Sequence, residues 1–188
     1  MLSTIRLVCL LAFAATVSAC QSPTSASDTL GYDDAVDVTT EPNPISANTS
    51  SDGRTYRIVR GNNQPDEIVP YDWHATFTST LSFNSTAADD DLDVAFPVRL
   101  SAATLVVKQA SGGIITPPTG TDKEYYEFVT LNASGNQFGA IGNPVNLTFE
   151  IWYDLPSLRK EAVVTMALSF IDDDGVTFQV SKDINVAP

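Results

Sequence analysis

Basic residues are scarce in this chain: 10 Lys and Arg stand against 23 Asp and Glu among 188 residues, a net charge of −13. Such a surface repels nucleic acid and anionic headgroups, which excludes a nucleic-acid partner and a basic patch as a membrane anchor. Histidine is almost missing. His74 is the only one, in a Thr-rich stretch with no acid at a recognisable catalytic spacing. The sequence has no G-x-S-x-G elbow, no H-E-x-x-H helix and no phosphate-cradling glycine loop, so the common hydrolase and nucleotide chemistries have no signature here. Both cysteines, Cys9 and Cys20, fall at the extreme N-terminus, leaving the rest of the chain without a disulfide, a thiolate nucleophile or a Cys-based metal site. The best carboxylate pair for glycoside hydrolysis, Glu150 and Asp154, would stand about 13 Å apart on an extended strand, beyond the ~9.5 Å that inversion tolerates. These absences make a non-catalytic protein the expectation. Finally, the apolar run Leu7 to Ala15 falls well short of the ~20 residues of a spanning helix.

That same run has another use. It follows the cation Arg6 and precedes Val17-Ser18-Ala19-Cys20, small residues before a cysteine that suit a signal peptidase. These four residues resemble the lipobox of bacterial lipoproteins, whose cysteine is acylated and becomes the mature N-terminus. The resemblance covers the first twenty-odd residues. It implies that residues 1–19 are a signal peptide and that Cys20 carries the lipid. The membrane is then a partner through that lipid, at roughly 0.8 kcal/mol per buried methylene. Gln21, where an aspartate would signal inner-membrane retention in enteric bacteria, favours the outer membrane. An ordinary secretory peptide that happens to end in cysteine is the alternative.

Residues 21–53 are rich in Ser, Thr, Asp, Pro and Asn, hold no Lys or Arg, and show no useful apolar period. Such a stretch buries too little surface to offset its ordering entropy. The expectation over 20–53 is therefore a lipidated cysteine and a disordered acidic tether, with a sheet-edge strand near Asp33 to Val38 as the alternative. From Arg54 to Pro188 the pattern changes to period two. Trp73, Ala75, Phe77, Leu81 and Phe83 share one face, and Leu147, Phe149 and Ile151 another. Met166, Leu168 and Phe170 do the same, as do Phe178 and Val180. Pro and Gly punctuate the joins and no helical period is sustained. The fold class expected for 54–188 is all-β: a single antiparallel sandwich of seven to nine strands. It resembles immunoglobulin-like domains in strand number and patterning only, and a barrel is the alternative.

One turn is specified by parity. The apolar faces on both sides of Asp172-Asp173-Asp174-Gly175 are even-numbered, so a three-residue loop of Asp173, Asp174 and Gly175 pairs Phe170 with Phe178 and Leu168 with Val180. That loop needs a positive φ at its last residue, which is Gly175. Lys182 then lies opposite Met166, near the rim, with its ammonium in water.

Acids cluster at Asp89, Asp90, Asp91 and Asp93, and again at Asp172, Asp173 and Asp174. Calcium takes about six to eight oxygens, so the two segments would make a calcium site if they met at one pole. They meet if Val94 to Lys108 runs in one direction with a kink near Ser101, and part if it is a hairpin. The parity shift between Leu100 and Leu105 fits both, and solvated turns are the alternative to calcium. Trp152 is expected on the face opposite Leu147, Phe149 and Ile151. One of the adjacent Tyr125 and Tyr126 must also leave the core. Such rings stack on sugars or anchor a protein partner, unless they cover a second small core. Two loops, 111–122 and 132–144, are longer than a sandwich needs. The second offers Asn136, Gln137 and Phe138, amide and ring chemistry suited to carbohydrate or peptide. The function expected is a lipid-anchored envelope binding or adhesion module that recognises carbohydrate or protein, with no cofactor unless calcium binds those acids. An accessory subunit of an envelope assembly is the first alternative, and a calcium-dependent or hydrolytic domain the second.

Overall fold

Alternating side chains become sheet faces in the computed structural model, which describes residues 31–60, 63–111, 125–132, 136–155 and 160–187. The segment expected to be a signal peptide, Cys20 and the first part of the expected tether lie outside the described residues, as does most of the 111–122 loop. In chain order the elements are α1 (Tyr32–Ala35), β1 (Val36–Glu41), β2 (Ile45–Ser46), β3 (Asn48–Thr49), β4 (Thr55–Ile58) and β5 (Glu67–Pro70). There follow β6 (Trp73–Phe83), a 3₁₀ turn (Ser85–Ala88), β7 (Val98–Gln109), β8 (Tyr126–Thr130) and β9 (Gln137–Phe138). The chain closes with β10 (Val145–Tyr153), β11 (Ala162–Ile171) and β12 (Thr177–Ala187).

Two sheets face each other. The first has the order β1-β6-β10-β8, with β3 also on β6, and the second β2-β12-β11-β7-β9. Taking β1, β6, β7, β8, β10, β11 and β12 as strands A to G without C′ gives A-B-E-D opposite G-F-C, the immunoglobulin arrangement. The sandwich is all-β as expected. Its second sheet is mixed, because β2 runs parallel to β12, with Val186 opposite Ile45.

The disordered tether expected over 20–53 is corrected from Gly31 onward. Val36 pairs with Phe83 and Glu41 with Thr78, so β1 is an edge strand of the first sheet. Val36 is buried and Thr40 bonds Ser79 across the ladder at 3.3 Å. At Pro42 and Pro44, which have no N–H for a ladder, the chain crosses to the second sheet. Folded structure is therefore present ahead of the expected Arg54, in α1 and β1.

Sequence parity is realised closely. Phe170 faces Phe178, Leu168 faces Val180 and Met166 faces Lys182. The turn closes with Gly175 N–H on the Asp172 carbonyl at 3.1 Å, and Gly175 sits at φ +81. Between β7 and β11, Phe170 pairs with Leu100 but Ser169 with Ala102, so Ser101 is the extra residue of a β-bulge. The bulge explains the parity shift: Val98 and Leu100 point inward before it, Leu105 and Val107 after it. The Lys182 ammonium also makes an exposed bond to the Asp33 carbonyl at 2.5 Å. The Asp33 carboxylate accepts the Ser181 N–H at 2.6 Å, so α1 clasps the edge of β12.

The main core is centred on Phe83, which meets Phe96, Phe138 and Phe170 edge-on at 5.2 to 5.4 Å between centroids. Phe83, Phe138 and Phe170 are fully buried, each contributing roughly 1.5–3 kcal/mol, and Phe96 is partly buried against them. One element departs from the plain sandwich. β4 and β5 form a separate two-stranded hairpin between β3 and β6, with Tyr56 opposite Val69.

Candidate functional site

The hairpin β4–β5 lies over the outer face of the first sheet, where His74 of β6, Trp152 of β10 and Glu127 of β8 form one cross-strand row. Trp152 is only 2 % exposed and forms a second small core with Tyr56 and Tyr71. Its position as an exposed binding ring is thus corrected, and the small-core alternative is the observed one. The His74 ring stacks on the indole at 4.7 Å and 10°, while the Arg54 guanidinium sits 3.7 Å from its centroid. Groups at those distances would overlap on one side, so they occupy opposite faces of the ring. The His74 Nε2 is buried without a hydrogen-bond partner, so stacking sets the position of this side chain.

Polar groups lock the hairpin down. Trp152 Nε1 donates to Asp52 Oδ2 at 2.6 Å, and Asp52 Oδ1 accepts the Arg54 N–H at 3.0 Å and the Ser50 hydroxyl at 3.2 Å. The Arg54 backbone N–H, with the indole N–H and Ser50, holds the Asp52 carboxyl below its ordinary range against the opposing pull of burial. Arg54 pairs with Glu127 at 2.6 Å. Two residues beyond Trp152, the buried Asp154 carboxylate accepts the Asp72 N–H and bonds the Tyr56 hydroxyl. Burial pushes the Asp154 carboxyl up, because the charged form loses its water. Burial, joined by the adjacent Asp154 charge, likewise pushes the Tyr56 hydroxyl up.

Tyr125 is half-buried, meets Tyr56 edge-on at 5.7 Å and touches both cores, and Tyr126 packs on the main core. One of the pair does turn outward, but beneath the hairpin. Phe138 is fully buried between Phe83 and Phe170, so it too is corrected as a contact residue. Asn136 is half-buried and donates to the Asn132 carbonyl at 2.9 Å, and Gln137 is exposed.

The acidic segments do meet, at the pole where β6 ends in Phe83. Asp173 N–H donates to the Ala95 carbonyl at 3.0 Å. The carboxylates serve the backbone instead of gathering. Asp172 accepts Val176 N–H at 2.7 Å and Ala95 N–H at 3.5 Å, and Asp89 accepts Asp91 N–H at 3.2 Å. Asp90, Asp91, Asp93, Asp173 and Asp174 point to solvent. Among the described residues no three acidic or thiol or imidazole groups are placed to hold a metal, which corrects the calcium site. Most of the 111–122 loop and residues 133–135 of the second loop lie outside the described residues.

Sequence reasoning missed the hairpin network of Asp52, Arg54, Tyr56, Tyr71 and Asp154. Its signal was present: Tyr56-Arg57-Ile58 and Ile68-Val69-Pro70-Tyr71 flank Gly61-Asn62-Asn63, a turn-rich connection. The hairpin's outer side carries Ile68, 61 % exposed. Near its turn, Arg60, Gln64, Pro65, Asp66 and Glu67 line an open depression of about 360 Å³.

No family model matches this chain and no curated protein matches it. Among solved structures, it is similar to a Northeast Structural Genomics Consortium target, at TM-score 0.42 and 11 % identity over 84 % of this chain and 90 % of that one. It is also similar to a FixG-related protein from Vibrio parahaemolyticus, at TM-score 0.31 and 13 % identity over 82 % of this chain and 99 % of that one.

Proposed function

We propose that this chain is a non-catalytic, lipid-anchored binding module of the bacterial envelope, and that the β4–β5 hairpin is its contact element. The observation that carries this reading is the hairpin itself. The two sheets close a core without it, yet it is fixed by its own small core and by Asp52, Arg54 and Asp154. Rigid support beneath an exposed edge is what a contact surface requires. Ile68 supplies apolar area for a carbohydrate or protein partner, beside the exposed ion pairs Arg57–Asp66 and Arg60–Glu67. The location rests on Arg6, the apolar run and Val17-Ser18-Ala19-Cys20.

The test is binding of the mature chain to arrayed envelope glycans and to envelope proteins, beside Ile68→Asp. Loss of a measured affinity by at least tenfold in Ile68→Asp, with an unchanged melting temperature, supports the reading. Undiminished binding by that variant places the contact elsewhere and overturns it.

A second reading, an accessory subunit held by sheet-edge pairing, is favoured by β7. Beyond Arg99 its outer edge pairs with no strand among the described residues, and an open edge accepts a foreign strand. Co-purification of a stoichiometric partner that protects β7 amides from exchange would select this reading over the first.

A further inference from the structure

The chain enters the domain at one pole and carries its hairpin at the other. Tyr32 stacks on Phe178 at 4.4 Å, Asn84 N–H donates to the Ala35 carbonyl at 3.0 Å and Val36 pairs with Phe83. Gly31 therefore sits at the Phe83 pole, beside the Asp89–Asp93 and Asp172–Asp174 turns. At the far end of β6, Trp73 adjoins Asp72, Tyr71 and the hairpin. The eleven residues of β6 (Trp73–Phe83) span about 35 Å. Covalent geometry limits the path from Cys20 to Gly31 to about 40 Å, whatever conformation it takes.

From these placements we propose that the Phe83 pole is the bilayer-side end of the domain and that the hairpin pole is presented away from the lipid. The orientation rests on the lipid anchor proposed at Cys20 and adds a direction to it. Charge does not supply this direction, which comes from the point where the chain enters the domain. Asp33, Asp34 and Asp37 join the two acidic turns at the Phe83 pole, whereas at the other end Arg54, Arg57 and Arg60 are paired with Glu127, Asp66 and Glu67. An acidic pole does not adhere to anionic headgroups. It is held near them only by the covalent link, at a distance over which salt already screens the repulsion, roughly 8–10 Å per Debye length. Asn136, Gln137 and the acidic turns would then face the membrane, while Ile68 and the depression around Arg60 face a partner in the opposite compartment space.

The chain has no cysteine after Cys20, so a single introduced thiol reports position. The acylated full-length protein is reconstituted in vesicles of phosphatidylcholine and phosphatidylglycerol that carry an energy acceptor in the headgroup layer. A donor dye is attached either at Ala140→Cys, exposed at the Phe83 pole, or at Gln64→Cys, exposed on the hairpin. Transfer at least twofold more efficient from Ala140→Cys is the expected result. Equal or reversed efficiencies in chains that float with the vesicles overturn the orientation alone. Failure of the acylated preparation to float, with Cys20→Ala indistinguishable from it, overturns the anchor and the orientation together.

Discussion

Trp152 and Asp52, one hundred positions apart in the chain, are joined by a 2.6 Å hydrogen bond from the indole N–H to the carboxylate. The bond closes a second core that shares no buried residue with the main one. Separate cores can open separately. Trp152→Ala should cost about 3–5 kcal/mol and should accelerate amide exchange in β4 and β5 first. Trp152→Phe, which keeps a ring and deletes the N–H, should cost about 1–2 kcal/mol. Exchange followed by mass spectrometry checks both, and uniform acceleration across β11 and β12 would contradict two separable cores.

Asp154 gives the hairpin a pH dependence of defined sign. Its carboxyl is raised by burial above the ordinary value of 3.8, so the folded state holds the proton more tightly than the unfolded state. The associated stability is complete below that unfolded value and is lost as pH rises through the folded one. Asp154→Asn keeps an acceptor for the Asp72 N–H and removes the ionisation. Relative to wild type, the variant should therefore gain stability between acid and neutral pH. Paired urea melts across that window check it; a difference that does not vary with pH would falsify the assignment.

Deleting Ser101 tests the bulge. Without the extra residue, one half of β7 must present its inward set to solvent. If the N-terminal half yields, Val98 and Leu100, now 0 % and 6 % exposed, leave the core. The loss should be about 3–6 kcal/mol. Ser101→Ala removes only the exposed 2.9 Å bond to the Ser169 carbonyl and should cost about 0.5 kcal/mol. Denaturant midpoints of the two variants decide between a register device and a mere surface irregularity.

Glycines at the Phe83 pole separate backbone strain from crowding. A Cβ at Gly175 or at Gly139 would meet nothing within 4 Å, but only Gly175 has a positive φ, +81. Gly175→Ala should cost about 1–2 kcal/mol, and Gly139→Ala should be neutral or slightly stabilising. Equal melting temperatures for the two variants would remove the argument from φ.

Period-two parity made the local part of this fold legible. It identified the inward sets of β6, β10, β11 and β12, and Gly175 with its parity determined the β11–β12 register residue by residue. Parity also showed that Trp152 leaves the main core. It could not show that the leaving face is covered, because the cover (Asp52, Tyr56, Tyr71) comes from a remote connection. β1 was legible only as the alternative strand near Asp33 to Val38, for a similar reason. Val36, Val38 and Thr40 are too few to mark a strand without the ladder from β6. Phe138 belongs to a two-residue strand, shorter than any periodicity can register, and only its packing against Phe83 and Phe170 reveals its role. For the acidic turns, proximity depended on the number of chain reversals between them, which the bulge at Ser101 resolves.

The central claim, a β-sandwich hung from acylated Cys20 with its hairpin outward, depends first on the chemistry of the mature N-terminus. Mass spectrometry of the N-terminal peptide from protein expressed with its own leader in a bacterial host measures that chemistry directly. The expected peptide begins at Cys20 and carries diacylglyceryl and amide-linked acyl mass. A chain that begins at Met1, or one cleaved at Cys20 with an unmodified thiol, would contradict it.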